Sequence, residues 1–483
     1  MATLQDLLAR LDPDPYRRGK QFEHICKWFL KHEPVYRHEL RQVWLWDEWP
    51  GRWGIDAGID LVAEDCRQQL WAIQVKAYGA DQTVTKRDVN KFLSESGRAL
   101  FAFRLLIATT NRVDPIAKRT IEGQEKPASI LDLGQLEAAQ VNWPNSPSDL
   151  RARRLPPKRP VGRWAYQGEA MNAVVKGLRR ADRGQLIMAC GTGKTLIALF
   201  IKEKLGAERT LVLVPSLSLL AQTLREWTAN SKEEFEFLPV CSDETVTESD
   251  AAVANTSDLG FPVTTDPTDI AAFLRRRSGR RVVFATYQSS REIAKAFALG
   301  RVPAFDLAIA DEAHRCAGPV SSDFATILDV HEIKARRRLF MTATPRYFTG
   351  RVVREAKGSD FEVASMDDEA AFGSVLYRLT FGQAIKRDLL TDYQVAVVGV
   401  DDATYREWAE RGRFVTIDGN KVTDARTVAG MDDYATKDEY EAAWHAADEE
   451  IQAVNRHAWD SLHAAGVYHD DERRLWLKRP QAV

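Results

Sequence analysis

The chain has 483 residues, enough for roughly two to four domains that each bury a core of their own. Apolar residues make up 45% and charged residues 28%, which excludes a disordered or fibrous chain. With 67 Lys and Arg against 69 Asp and Glu the net charge is −2, so a nucleic-acid surface has to be a local patch and not a global basic field. Cys26, Cys66, Cys190, Cys241 and Cys316 form no CxxC pair, which suits a reducing cytosol and argues against a disulfide framework or a thiolate zinc site. The N-terminus lacks the basic-then-apolar order of a signal peptide. No stretch approaches the ~20 apolar residues that span a bilayer. The expectation is a soluble cytoplasmic protein with no membrane partner.

In chain order, Phe22, Ile25, Cys26 and Phe29 recur at helical spacing. Val43 to Leu45, Ile59 to Val62 and Leu70 to Lys76 read as short strands, 84–98 as a helix, and Leu105 to Ala108 as a buried strand. A seam follows at 142–164, where Arg151, Arg153, Arg154, Lys158, Arg159 and Arg163 crowd around Pro156, Pro157 and Pro160. Proline fixes the backbone and removes donors, so this basic run predicts an extended connector. Beyond it, apolar runs at 185–189, 211–214, 282–285, 306–310 and 338–341 alternate with helical stretches, the rhythm of a parallel sheet covered on both faces. From about 400 the chain turns acidic with weak periodicity, and a helical tail is expected. The division is therefore 1–141, a linker at 142–164, 165–390, and 391–483.

Gly191-Thr192-Gly193-Lys194-Thr195 lies between a strand, Gln185 to Met188, and a helix from Leu196. Glycines let the backbone approach a phosphate, and amides at the helix start point at its oxygens. Lys194 would neutralise the β/γ-phosphates of ATP, and Thr195 would ligate Mg²⁺. Asp311 and Glu312 follow the apolar strand Leu307 to Ala310. Asp311 would hold Mg²⁺ through water, and Glu312 would orient or deprotonate the attacking water. His314 would couple this site to Thr342-Ala343-Thr344.

On these motifs, residues 160–390 resemble the first RecA-like lobe of a superfamily-two DEAH-type helicase or translocase. The resemblance implies that Gln167 reads adenine. It also implies that Pro215, Ser216, Thr286 and Gln288 contact the nucleic-acid backbone. The family's second lobe carries an arginine-finger motif of the Gln-x-x-Gly-Arg-x-x-Arg kind, which the sequence lacks. Leu389 to Val395 looks like the start of that lobe, cut short. Such a finger supplies a factor of ~10³ or more. The chain alone is expected to bind ATP but hydrolyse it weakly, unless a separate chain supplies the second lobe.

In the first region, Asp60 and Gln74-Val75-Lys76 lie on adjacent predicted strands. Alternate strand residues share a face, so Gln74 and Lys76 point the same way. Cutting a phosphodiester benefits from a divalent metal and from a cation beside the nucleophile. Acid and carbonyl ligands with a lysine two residues on would supply both. Glu23 on the N-terminal helix would complete the ligand set with Asp60 and Gln74, and Asp56 competes with Asp60 for its place. Trp44, Trp46, Trp49 and Trp53 cluster nearby, as core or as base and backbone contacts.

This pattern, with Phe22-Glu23, Gly58-Ile59-Asp60 and a strand ending in Thr109-Thr110, resembles the Mrr-like branch of the PD-(D/E)xK nucleases, in which glutamine replaces the second acid. Asp60, Gln74 and Lys76 are then its catalytic residues. The fold class expected is α/β: a PD-(D/E)xK nuclease domain, a RecA-like P-loop domain with a parallel sheet, and an incomplete acidic helical C-terminal segment. The arrangement resembles the front of the single-chain Type ISP restriction-modification enzymes. The resemblance implies ATP-dependent cleavage of double-stranded DNA in defence against foreign DNA, with ATP and Mg²⁺ as cofactors. No Asn-Pro-Pro-Tyr or Asp-Pro-Pro-Tyr motif is present, so methyltransferase and target recognition would come from a separate chain, the present one being a truncated or split form. Two alternatives stay open: an ATP-sensing DNA-binding module with vestigial catalysis, and a repair or RNA helicase fragment.

Overall fold

The first domain starts from helices whose N-termini are specified locally. In a computed structural model of the chain, residues 3–54, 58–79, 81–150, 158, 164–242, 255–319, 323–348, 363–391, 414–417 and 421–424 are described. Helix α1 covers Leu4–Leu8 and α2 covers Pro15–His32. Asp14 caps α2 by accepting the Arg17 N–H at 3.0 Å, and Pro15 sits at its first turn, where no donor is needed. The helical stripe read from the sequence, Phe22, Ile25, Cys26 and Phe29, is buried. Helix α3, Pro34–Glu39, follows at once, with Glu33 as its cap.

Five strands then form one sheet in the order β1-β2-β3-β4-β5: Leu40–Leu45, Leu61–Asp65, Leu70–Lys76, Phe101–Ala108 and Ala128–Leu131. The first three are antiparallel neighbours, and β3-β4-β5 run parallel. Parallel strands need a crossover, and α4 (Lys86–Ser96) and α5 (Pro115–Glu122) supply the two required. A short helix α6, Leu133–Glu137, closes the domain. Sequence periodicity finds β1, β3, α4 and β4 but omits the four-residue β5. It also places Ile59 and Asp60 inside a strand that begins at Leu61. Asp60 nevertheless donates its N–H to the Ile73 carbonyl at 2.9 Å, continuing the ladder by one bond.

The second domain is a seven-stranded parallel sheet. Its longer helices are α7 (Ala165–Leu178), α8 (Lys194–Leu205), α9 (Leu217–Asn230), α10 (Pro267–Arg275) and α11 (Ser290–Ala298). Its strands include β6 (Arg183–Met188), β7 (Arg209–Val214), β8 (Glu236–Val240), β9 (Arg281–Thr286) and β10 (Leu307–Ala310). The spatial order is Val375–Leu379, β6, Arg338–Thr342, β10, β7, β9, β8. The five inner strands are those read from apolar runs. Continuous apolar sequence is what burial on both faces requires. The two missed strands are edges: β8 contains Pro239, tolerated where one side of the ladder is unpaired, and Val375–Leu379 is half-exposed.

Two expectations change. The stretch 142–150, read as the start of an extended connector, returns to the core of the first domain, where Trp143 stacks on Phe29 with ring centroids 5.5 Å apart. A large aromatic surface leaving water outweighs the local turn signals. Of 151–163 only Lys158 is described, and its N–H donates to Asn230 Oδ1 at 2.7 Å. The helical reading of the acidic C-terminal segment also meets strands. The pieces described, Phe414–Ile417 and Lys421–Asp424, pair antiparallel, β-branched residues in them favouring strand, and the rest lies outside the described residues.

The two domains share a packed boundary. Helix α3 lies against α9 and β8, and the Tyr36 hydroxyl donates to the Gly260 carbonyl at 3.0 Å. Lys118 pairs with Asp258 at 3.2 Å, and Gln140 donates to Glu226 at 3.1 Å. Among the described residues no helix is long and apolar enough to cross a membrane.

Candidate nuclease and nucleotide-binding sites

The nuclease residues meet where β2 and β3 begin and end. Because the pair is antiparallel, with Leu61 opposite Ile73, the residue before β2 lies beside the last turn of β3. Asp60 therefore reaches Val75, whose N–H donates to Asp60 Oδ2 at 2.7 Å. Next to it, Gln74 is buried, and its Nε2 donates to the Gly58 carbonyl at 2.9 Å. This bond fixes which way the amide faces. Its other end, Oε1, is buried with no hydrogen-bond partner among the described residues. An orphaned acceptor of this kind costs ~1–3 kcal/mol unless something meets it. Beside the Asp60 carboxylate, a cation is the partner that chemistry suggests.

Glu23 comes from α2, where Lys20 pairs with it at 3.0 Å. Burial, and after it the neighbouring Asp60 charge, push its carboxyl up to about 7. Two acids and one amide oxygen are thus available, and among the described residues no three His, Cys, Asp or Glu gather anywhere. Lys76 Nζ lies 3.7 Å from Asp88 Oδ1 on α4. Asp88 was not read as part of the site. Its signal was present in Thr85-x-x-Asp88, a capping box at the start of the helix that follows β3. Thr109 and Thr110 hold the loop after Lys76, donating their hydroxyls to the carbonyls of Tyr78 at 2.7 Å and Gln82 at 2.8 Å. Asp56, the competitor of Asp60, lies outside the described residues. The tryptophans divide: Trp46 and Trp49 are buried core against Phe101, whereas Trp53 is partly exposed under the Arg98 guanidinium at 3.9 Å.

The nucleotide site forms where β6 meets α8. Gly191 and Gly193 have φ of +77° and +79°, which a side chain would strain. A Cβ on Gly193 would also stand 2.5 Å from Gln167 Nε2. Gln167 is buried against the loop, its Nε2 donating to the Thr192 carbonyl at 3.4 Å, and the Tyr166 hydroxyl donates to the same carbonyl at 2.8 Å. Lys194 folds back and donates to the Met188 carbonyl at 3.2 Å. Thr195 follows it in the first turn of α8, its own carbonyl accepting the Trp227 indole N–H at 2.9 Å.

At the end of β10, Asp311 is nearly buried, and burial followed by the Glu312 charge raises its carboxyl to about 6. Glu312 adopts φ +49°, a left-handed backbone that turns its side chain away from the strand line. The His314 hydrogen bond holds the Glu312 carboxyl below its ordinary range. His314 Nδ1 stands 3.4 Å from Glu312 and 3.0 Å from the Thr342 hydroxyl, which also accepts the Thr344 N–H at 3.1 Å. His314, Thr342 and Thr344 thus form a connected chain of polar contacts.

The residues expected to contact a nucleic-acid backbone lie just after β7 and at and after the end of β9. Thr286 is fully buried with its hydroxyl donating to Ser289 Oγ at 3.1 Å, and Pro215 is buried behind β7. Neither side chain is presented at a surface, because the strands ending there are central and covered. Ser216 and Gln288 remain partly exposed, although Ser216 is also engaged, as the cap of α9.

Comparisons with known proteins follow this division. Residues 31–151 match the restriction endonuclease family Mrr_cat_2, and residues 163–347 match the ResIII family, described as the res subunit of Type III restriction enzymes. The probable helicase A859L of African swine fever virus (isolate Tick/South Africa/Pretoriuskop Pr4/1996) is 35% identical over 234 residues, 48% of this chain and 24% of the viral protein. The Malawi isolate's protein is 34% identical over the same length. Among solved structures, the ATP-dependent Type ISP restriction-modification enzyme LlaBIII bound to DNA superposes with a TM-score of 0.68 at 33% identity, covering 85% of this chain and 27% of that one. The chain spans about a quarter of the length of these relatives. It carries two enzyme domains in series, a restriction endonuclease domain of the Mrr_cat_2 family followed by a helicase domain of the ResIII family.

Proposed function

We propose that the chain cuts double-stranded DNA in an ATP-dependent restriction reaction of the Type ISP kind, its first domain cleaving and its second binding ATP. The observation that carries this reading is the Gln74 amide, held by Gly58 so that its buried Oε1 has no partner among the described residues, one position before Val75, whose N–H donates to the Asp60 carboxylate. Asp60, Gln74 and Glu23 would hold Mg²⁺, which would activate water and offset charge on the phosphate. Lys76 brings a cation to the same strand end, where it would neutralise the phosphate under attack.

In the second domain, Gly191 to Gly193 would cradle the phosphates, and Lys194 would exchange the Met188 carbonyl for the β/γ oxygens. Thr195 and Asp311 would hold the nucleotide's Mg²⁺, and Glu312, kept ionised by His314, would accept a proton from the attacking water. Because LlaBIII was solved bound to DNA, duplex DNA is the substrate to test first.

Purified chain incubated with supercoiled plasmid, Mg²⁺ and ATP should nick or linearise it, and Lys76→Ala should abolish the cutting. DNA left intact by the unaltered chain in the presence of every cofactor would refute the reading. Equal cutting by Lys76→Ala would trace the activity to a contaminant.

A further inference from the structure

The Asp88 carboxylate divides its two oxygens between two tasks. Oδ2 accepts the Thr85 N–H at 3.0 Å and the Thr85 hydroxyl at 2.7 Å, which closes the N-terminal box of α4. Oδ1 is turned to Lys76 Nζ at 3.7 Å. The Tyr78 hydroxyl also bonds this carboxylate. Helix capping needs only one oxygen, so the second is available for a different purpose. The carboxylate cannot swing away, because its other oxygen is fastened to a helix start. That helix start is itself pinned, since Val84 N–H donates to the Arg112 carbonyl at 2.8 Å.

Lysine is a compact charge on a flexible four-carbon stem, and holding it in one place costs rotamer entropy. The backbone of Lys76 is fixed where its carbonyl accepts the Thr109 N–H at 3.1 Å. The side chain still needs a partner to select one rotamer. Side-chain exposures of 20% for Lys76 and 21% for Asp88 place the pair at the margin of the site, half out of water, where an ion pair is screened less than on an open surface.

We propose that Asp88 is the positioning residue of the nuclease, holding the Lys76 ammonium at the β3 end of the site while Thr85 locks Asp88 into α4. The inference rests on the reading of Lys76 as the catalytic lysine. Asp88 does not touch the substrate; it acts through Lys76. Placing the charge before the phosphate arrives spares the reaction that ordering step, and a loosely placed catalytic group costs on the order of 10- to 100-fold.

The test uses the whole chain with plasmid, Mg²⁺ and ATP under single-turnover conditions. Asp88→Asn keeps an oxygen for Thr85 but loses the charge. It should slow cutting about 10- to 100-fold, leave DNA affinity equal or tighter, and leave ATP binding unchanged. Asp88→Glu should restore part of the rate. Thr85→Ala loses the hydroxyl but keeps the Thr85 N–H bond that holds Asp88 Oδ2, so it should lower the melting temperature yet cut nearly as fast as the unaltered chain. Asp88→Asn cutting at full rate would overturn the proposal, as would Thr85→Ala slowing it equally.

A second measurement does not depend on cutting. Acylation of lysines by a limiting amine-reactive reagent, read by mass spectrometry, should proceed several-fold faster at Lys76 in Asp88→Asn and not in Thr85→Ala. An unchanged Lys76 rate overturns the proposal even if the chain proves to cut nothing, in which case the nuclease reading has failed separately.

Discussion

Val75 donates its backbone N–H to Oδ2 of Asp60 at 2.7 Å, so the acid before β2 is fastened to the residue that follows Gln74. The bond fixes one carboxylate oxygen by backbone geometry and sets the acid beside the glutamine amide. It also separates folding from chemistry. Asp60→Asn keeps a side-chain oxygen for the Val75 N–H and removes only the charge. Cleavage should fall by about two orders of magnitude or more, the range expected when a charge that holds a catalytic metal is lost. The melting temperature should stay within a few degrees. Plasmid nicking and thermal unfolding on the same preparation check both halves.

Lys194 donates to the Met188 carbonyl at 3.2 Å, and this contact must be given up for a phosphate. In the unaltered chain, ATP at 100 times its dissociation constant should add ~2.7 kcal/mol to stability by mass action. Lys194→Ala should erase that gain while barely altering the unliganded protein, since the lost contact is a single hydrogen bond. Thermal shift with and without Mg-ATP reads it directly. A full ATP shift in the variant would remove Lys194 from the phosphate site.

Much of this was legible in sequence, and the reasons are local. The inner strands of the parallel sheet are uninterrupted apolar runs, and the phosphate loop has glycines where φ turns positive, at Gly191 and Gly193. Gln74 and Lys76 were legible as candidates because strand alternation has a fixed period of two, and Asp60 because an apolar strand follows it directly. Asp88 was not, because its partner lies across a loop and a helix, and a capping box has a sufficient local explanation. Burial of Thr286 and Pro215 was hidden for a related reason: a motif gives residue order, not which side chains the sheet covers. Trp143 misled because prolines nearby signal a linker, while the ring itself packs against Phe29.

The domain boundary offers a test of coupling. Gly260 has φ +78°, and a Cβ there would stand 2.7 Å from the Tyr36 hydroxyl oxygen. Tyr36→Phe removes one buried hydrogen bond and should cost about 1 kcal/mol. Gly260→Ala should cost more, since it adds left-handed strain to a clash with that hydroxyl. In the double variant the clash disappears with the hydroxyl, so the two costs should sum to less than the single effects predict. Urea unfolding of the three variants measures this. Strict additivity would show that Tyr36 and Gly260 do not meet in solution.

Glu33 is buried at the same boundary, where it accepts the N–H groups of Val35 at 2.8 Å and Tyr36 at 3.1 Å. Burial raises its carboxyl to about 7, against the lowering effects of those N–H bonds and of the Arg225 and Arg37 charges. Unfolded, the group titrates near the ordinary glutamate value of about 4.3. Between these values the folded chain holds a proton that the unfolded chain has released, so raising the pH favours unfolding. Stability contributed by protonated Glu33 should therefore be full below about 4.3 and fall as pH rises to about 7, by up to roughly 4 kcal/mol. Glu39, also raised to about 7 by burial beside Arg67, contributes a slope of the same sign. The informative quantity is thus the difference between the unaltered chain and Glu33→Gln. That variant cannot ionise, so its stability should decline less steeply from pH 5 to pH 7.5 in urea unfolding. Parallel declines in the two proteins would mean that Glu33 is already ionised in the folded state and that Arg225 outweighs its burial.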